Sequence, residues 1–243
     1  MCMFVGQAKV GGTKIFAKKE GRKQFLVYEA RVESRTPNAM ILPVPVASQS
    51  SSVELIDLSA FENLFEELFF VYIPSLAPMR GFGGPGVGTL EIVTVGSYEA
   101  SIVPSLADME RLDARFQISP SMMRAFASRY ADHAFVVYQF APGKQKLHPF
   151  GFSFESRYDG NLFFPTLHVH DGRSVPDVAW FDHHFFAQGS RFGERYTAHP
   201  TTSHATWDGR LRFPPFIDMM TPLEHDSRLG RHPNEDLFVA LDG

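Results

Sequence analysis

One cysteine and a late-lying set of histidines are the side chains here best suited to reactive chemistry. Cys2 follows Met1. Removal of Met1, common before a small residue, leaves a thiol beside a free amine. That amine can serve as the thiol's own base, which is the chemistry of an N-terminal-nucleophile amidohydrolase. All ten histidines lie at or beyond His133. His168 and His170, two apart on a predicted strand, project to one side and can chelate a divalent metal. His183 is the third ligand in that reading, with His184, Asp171 and Asp182 as further donors. Each feature also has a plain structural reading. Cys2 shares a strand face with Phe4, Ala8 and Val10, where a thiol behaves as a small hydrophobe. The histidines can be half-exposed strand residues in an aromatic shell. No Gly-x-Ser-x-Gly elbow occurs. The glycine-rich stretch 81–88 does not lie between a strand and a helix, so it reads as a flexible connection and not a phosphate loop.

The elements that must position these residues read mostly as strands. Residues 2–10, 14–18 and 24–32 alternate, and Gly21-Arg22 makes a hairpin turn between the last two. Pro43 and Pro45 interrupt the apolar run 39–46 and place it at a sheet edge or bulge. Ser59 and Glu62 form a capping-box pair ahead of a helical stripe of Phe61, Leu64, Phe65, Leu68 and Phe69, ended by Pro74 and Pro78. Ser105 and Ser119-Pro120 start two more helices. Residues 133–140 and 148–155 read as strands joined by Pro142-Gly143, followed by strands over 162–170 and 178–186. The expected class is therefore α+β, with mainly antiparallel sheets, three helices and an irregular C-terminal extension. Residues 1–186 form the domain in this parse, and 187–243 pack on it or on a partner.

Composition narrows the function. Net charge is −4, which speaks against nucleic acid as a partner. The most apolar stretch, 64–76, holds Glu66, Glu67 and Pro74 and is too short for a membrane span. Lys9, Lys14, Lys18 and Lys19 break any leader core, so the expected compartment is cytoplasmic. A single Cys excludes an internal disulfide framework. The 24 phenylalanines fit a large aromatic core and an assembly interface. The preferred expectation is a non-catalytic binding or assembly protein that self-associates or takes a protein partner. It needs no cofactor, apart from a divalent metal if the histidines hold one. The rival is an enzyme, using either Cys2 or a His168/His170 metal site.

A family resemblance supports the strand parse. Cys2 precedes a short strand, Ile41-Leu42-Pro43-Val44-Pro45 follows a hairpin, Val95 to Glu99 reads Val-Gly-Ser-Tyr-Glu, and 133–170 supplies closing strands. In these features residues 2–170 resemble the uncharacterised bacterial family called domain of unknown function 2330. The resemblance implies a related arrangement of strands and no mechanism. Members of that family carry a leader before the Cys. The start Met-Cys-Met-Phe-Val-Gly is also similar to that of glutamine amidotransferases, with Met3 where those have Gly.

Overall fold

The computed structural model describes residues 2–72, 93–95, 98–190, 192, 201–203 and 212–241. Strands dominate them. In chain order they are β1 (Cys2–Phe4), β2 (Lys9–Glu20), β3 (Lys23–Ser34), β4 (Asn38–Val44), β5 (Val53–Ile56), β6 (Val93–Val95) and β7 (Tyr98–Val103). Then follow β8 (Ala134–Phe140), β9 (Gly143–Glu155), β10 (Asn161–Phe164) and β11 (His168–Val169). The last are β12 (Val178–Gln188), β13 (Thr201–Ser203), β14 (Leu223–Pro233) and β15 (Leu237–Ala240). Only α1 (Leu64–Tyr72) and α2 (Pro120–Tyr130) are α-helices among the described residues.

The α+β expectation is thus overturned in favour of a β-rich fold of three sheets. One has six strands in the order β11-β1-β4-β8-β7-β6, one has seven in the order β13-β14-β12-β2-β3-β9-β5, and β10 pairs with β15. Among the described residues two pairings are parallel, β1 with β11 and β12 with β2. The helix expected after Ser105 is a pair of short 3-10 turns, Leu106–Arg111 and Ala114–Phe116. Nor is the C-terminal part an irregular extension. β14 lies against all of β12, and β15 closes on β10. β14 does alternate between more and less buried positions, but its buried side chains include the charged Glu224, Asp226 and Arg228, so no apolar pattern marks the strand in the sequence.

The large sheets share one apolar cluster, with Ile15, Leu26 and Phe152 from the seven-stranded sheet and Met40, Leu42 and Val136 from the other. Aromatic rings bridge them: Phe150 of β9 lies 4.0 Å from Tyr138 of β8 and stacks on Tyr28 of β3 at 5.7 Å. On the opposite side of β8, Phe135 stacks on Phe126 of α2 at 5.9 Å. β8 is therefore buried on both faces, which is why it reads as a continuous apolar run. Each buried Phe contributes roughly 1.5–3 kcal/mol of transfer free energy, which accounts for the heavy use of this residue. A second cluster covers the outer face of the seven-stranded sheet, where Leu64, Phe65 and Leu68 of α1 pack with Phe16, Val27 and Phe186.

Local signals hold in part. Gly21 takes φ of 59° in the β2–β3 turn, between the Glu20–Lys23 pair. Ser119 accepts a hydrogen bond from the Met122 amide at 3.3 Å, with Pro120 opening α2. The Ser59–Glu62 capping box is not formed: Asp57 accepts from the Ser59 amide at 2.9 Å, and Ser59–Phe61 is a 3-10 turn ahead of α1. β4 lies inside its sheet, between β1 and β8. Pro43 is tolerated because the described β1 ladder reaches only Met40 and Ile41, so no described strand residue on that side requires its missing N–H. The stretch 81–88 lies outside the described residues, as do Pro74 and Pro78.

Candidate functional site

The predicted histidines meet at a corner between the two large sheets. His168 belongs to β11 of one sheet and His183 to β12 of the other, and their Nε2 atoms lie 3.3 Å apart. His170 stacks on His168, with ring centroids 4.8 Å apart and planes 26° apart. Phe181 closes the group at 4.2 Å from His168. His168 and His183 are buried. Burial holds His168 down to about 2 from the usual 6.5 and His183 well below it, and it lowers His170 as well. All three rings are neutral at pH 7, so one of the facing nitrogens donates and the other accepts. A general base for neutral solution needs a pKa near 7, and burial takes His168 and His183 well below that.

As metal ligands the three are close but do not converge. His170 lies flat on its neighbour, and its Nε2 is buried without a hydrogen-bond partner. Among the described residues no group of three His, Cys, Asp or Glu side chains is arranged to hold a metal ion. Asp182 accepts the Gly12 amide at 2.5 Å through one oxygen, and its other oxygen lies 3.7 Å from His183 Nδ1. His184 faces His225 of β14 at 3.2 Å under the edge of Phe69 from α1. Asp171 holds its own turn, accepting from the amides of Arg173 and Ser174. The backbone of Cys2 pairs with that of His168 across β1 and β11. The Cys2 side chain lies outside the described groups.

Sequence reading missed the polar residues that hold this corner. The Asn234 side chain accepts from the His168 amide at 2.6 Å and donates to the His168 carbonyl at 2.9 Å, the pattern of an added strand residue. Asp236 accepts from the amides of Thr166 and Leu167 at 2.7 and 3.0 Å and from the Tyr130 hydroxyl at 2.6 Å. Arg228 is buried, with its guanidinium 4.2 Å over Phe181 and a donor 2.7 Å from the Pro233 carbonyl. The available signal was the spacing Asn234-x-Asp236 just after Pro233, which lacks a periodic pattern to mark it. The 162–170 strand is in fact two, β10 and β11, placed in different sheets. Pro165 breaks the ladder between them, and Asp236 takes up the freed amides.

Gly172 fixes the turn after His170. It has φ of 65°, and a Cβ there would lie 1.9 Å from the Val5 carbonyl oxygen. Gly172→Ala must move β1 or this turn as well as strain its own backbone. We expect a loss of about 3 kcal/mol, read from the urea midpoint, whereas Gly160→Ala, which meets nothing within 4 Å, shifts it little.

An ionic cluster ties α1 to the sheet. Glu29 of β3 is ion-paired to Lys14 and lies 3.5 Å from Lys146, while Glu66 of α1 receives Lys146 at 2.7 Å and Lys14 at 3.7 Å. Burial raises the Glu29 carboxyl. Burial also disfavours a charge on Glu66, but the Lys146 hydrogen bond, the Lys14 charge and a backbone hydrogen bond together outweigh it and hold that carboxyl below its ordinary range.

The whole arrangement has known counterparts among solved structures. The fold is similar to that of baculovirus P35. The P35 crystal structure matches over 100% of both chains at a TM-score of 0.54 and 11% identity. A mutated baculovirus P35 after caspase cleavage matches at a TM-score of 0.51 and 10% identity, over 96% of this chain and 100% of that one. At such identity the P35 likeness speaks to the fold. No family model matches the chain. No described helix is long and apolar enough to cross a membrane.

Proposed function

We propose that this protein is a non-catalytic binding protein whose partner is a protease of the caspase class. The observation that carries the reading is the end-to-end likeness to P35, which in one of the matching structures has been cleaved by a caspase. The histidine corner is consistent with it: buried, neutral rings joining two sheets serve as a structural seam and not as a proton-transfer centre. A body whose two large sheets share one apolar core is a suitable frame for presenting a loop or surface to an enzyme.

The test is direct. Purified protein is titrated into a panel of active caspases, with residual peptidase activity and co-elution on size exclusion both measured. At least one caspase is expected to lose activity in proportion to added protein and to co-elute with it. Full activity and separate elution for every member would refute the reading. Rapid proteolysis without a retained complex would count it as a substrate and would also refute it.

A further inference from the structure

The outer face of the seven-stranded sheet is only partly covered. Among the described residues α1 shields the region around Phe16, Val27 and Phe186, and no described element packs over the opposite ends of the strands. There, paired residues place Lys9, Glu33 and Lys144 in one row, and Gly11, Arg31 and Lys146 in the next row on the same face. They line a hollow of about 460 Å³. The hollow exists because Gly11 has no side chain to fill it and because the β2–β3 register shifts between Gly11 and Lys14. The Asp182 carboxylate grips the Gly12 amide and fixes the bulge.

The charges are unbalanced. Lys9 and Lys144, with side chains 84% and 81% exposed, both lean on the single Glu33, at 4.0 and 3.8 Å. Arg31 ion-pairs with no described carboxylate, and Lys146 is shared with the buried Glu29 and with Glu66. This concentration of cations stands out in a chain of net charge −4. Beside it on the same face, β12 and β14 present apolar groups. Trp180 is 70% exposed opposite Arg231, and Leu229 is exposed opposite Asp182. Exposed Trp and Arg together are unusual on a surface with no partner.

We infer that this face docks an acidic, extended segment of a partner protein, carboxylates over the lysine and arginine rows and an apolar side chain against Trp180 and Leu229. The inference rests on the reading that the partner is a protein and adds the chemistry by which it is held. The run of the hollow across successive strand rows suits an extended segment, and excess positive charge selects acidic side chains and speeds their encounter.

The probe is a short fluorescein-labelled peptide of Glu and Asp with one central Phe, followed by anisotropy at roughly 0.15 M salt. Saturable binding is expected, weakened at least about tenfold by Lys9→Glu/Lys144→Glu and also by Trp180→Ala. An equal charge change on α2, Arg124→Glu/Arg129→Glu, should leave it unchanged. Equal weakening by both double variants, displacement by millimolar inorganic phosphate, or equal binding of an oligothymidylate overturns the inference. So does absence of binding by the unaltered protein. Near-ultraviolet circular dichroism confirms that each variant is folded. If a caspase is still retained when the peptide is not, the docking face fails and the proposed function stands. If the peptide binds and no caspase does, the reverse holds.

Discussion

Acidification from pH 7 to about 4 is expected to unfold the protein, with the urea midpoint falling steadily once the pH drops below about 6.5. The cause is the set of buried imidazoles. Burial lowers His133 and His225 from 6.5 to about 4 and His168 to about 2, and it lowers His170, His183 and His184 too. In the unfolded chain each takes its proton near 6.5, whereas in the fold each resists it. Their contribution is therefore complete above about 6.5 and is lost as the pH falls towards the folded values. A displacement from 6.5 to about 4 is worth about 3 kcal/mol for His133 and again for His225. Glu29 and Asp236 act in the opposite direction, since burial raises both and favours their protonation in the fold. Six histidines outweigh two carboxyls, and the total rivals the roughly 5–15 kcal/mol that holds a domain together. A urea midpoint that stays flat from pH 7 to 5 would show that the rings are not neutral and buried.

Asp236→Ala is expected to cost about 4 kcal/mol, the largest effect of a single polar substitution. It leaves two amides and a phenol hydroxyl, all served by one carboxylate, without an acceptor. Tyr130→Phe removes one of those three bonds and should cost about 1 kcal/mol. Asp236→Asn separates charge from hydrogen bonding. Its carbonyl can keep the two amide bonds, its NH2 can donate to the Tyr130 oxygen, and burial no longer penalises an ionised group. The asparagine variant should therefore lie within about 1.5 kcal/mol of the parent, against about 4 for alanine. Urea unfolding of the three variants at pH 7 is the measurement. Equal losses for Asn and Ala would mean that charge, and not geometry, matters at this site.

The sequence shows strand elements better than it shows their partners. Alternation over 24–32 and the Gly21-Arg22 turn led directly to the β2–β3 hairpin, and Ser119-Pro120 led to the start of α2. These signals are local. Pro142-Gly143 joins the two next strands just as closely, yet β8 and β9 belong to different sheets. A turn signal gives a change of direction but not the sheet that receives the strand. The three helices became two because the apolar spacing Leu106, Met109, Leu112 and Phe116 is satisfied by 3-10 turns, and such spacing alone does not separate those from an α-helix. Proximity of His168 to His170 was legible from their spacing, and their stacking was not. The approach of His183 depends on how two sheets meet, which no local pattern encodes. The polar latch of Asn234 and Asp236 was invisible for the same reason, since its partners lie some seventy positions earlier in the chain.

The parallel pairings carry a consequence for synthesis. β2 cannot gain its second neighbour until β12 has been made, since Thr13 pairs with His183, and β1 waits for His168. While translation proceeds, the early hairpin must leave the ribosome with the β2 edge open around its apolar centre, Ile15, Phe16 and Ala17. Such delayed closure predicts slow maturation and a period in which the nascent polypeptide depends on chaperones.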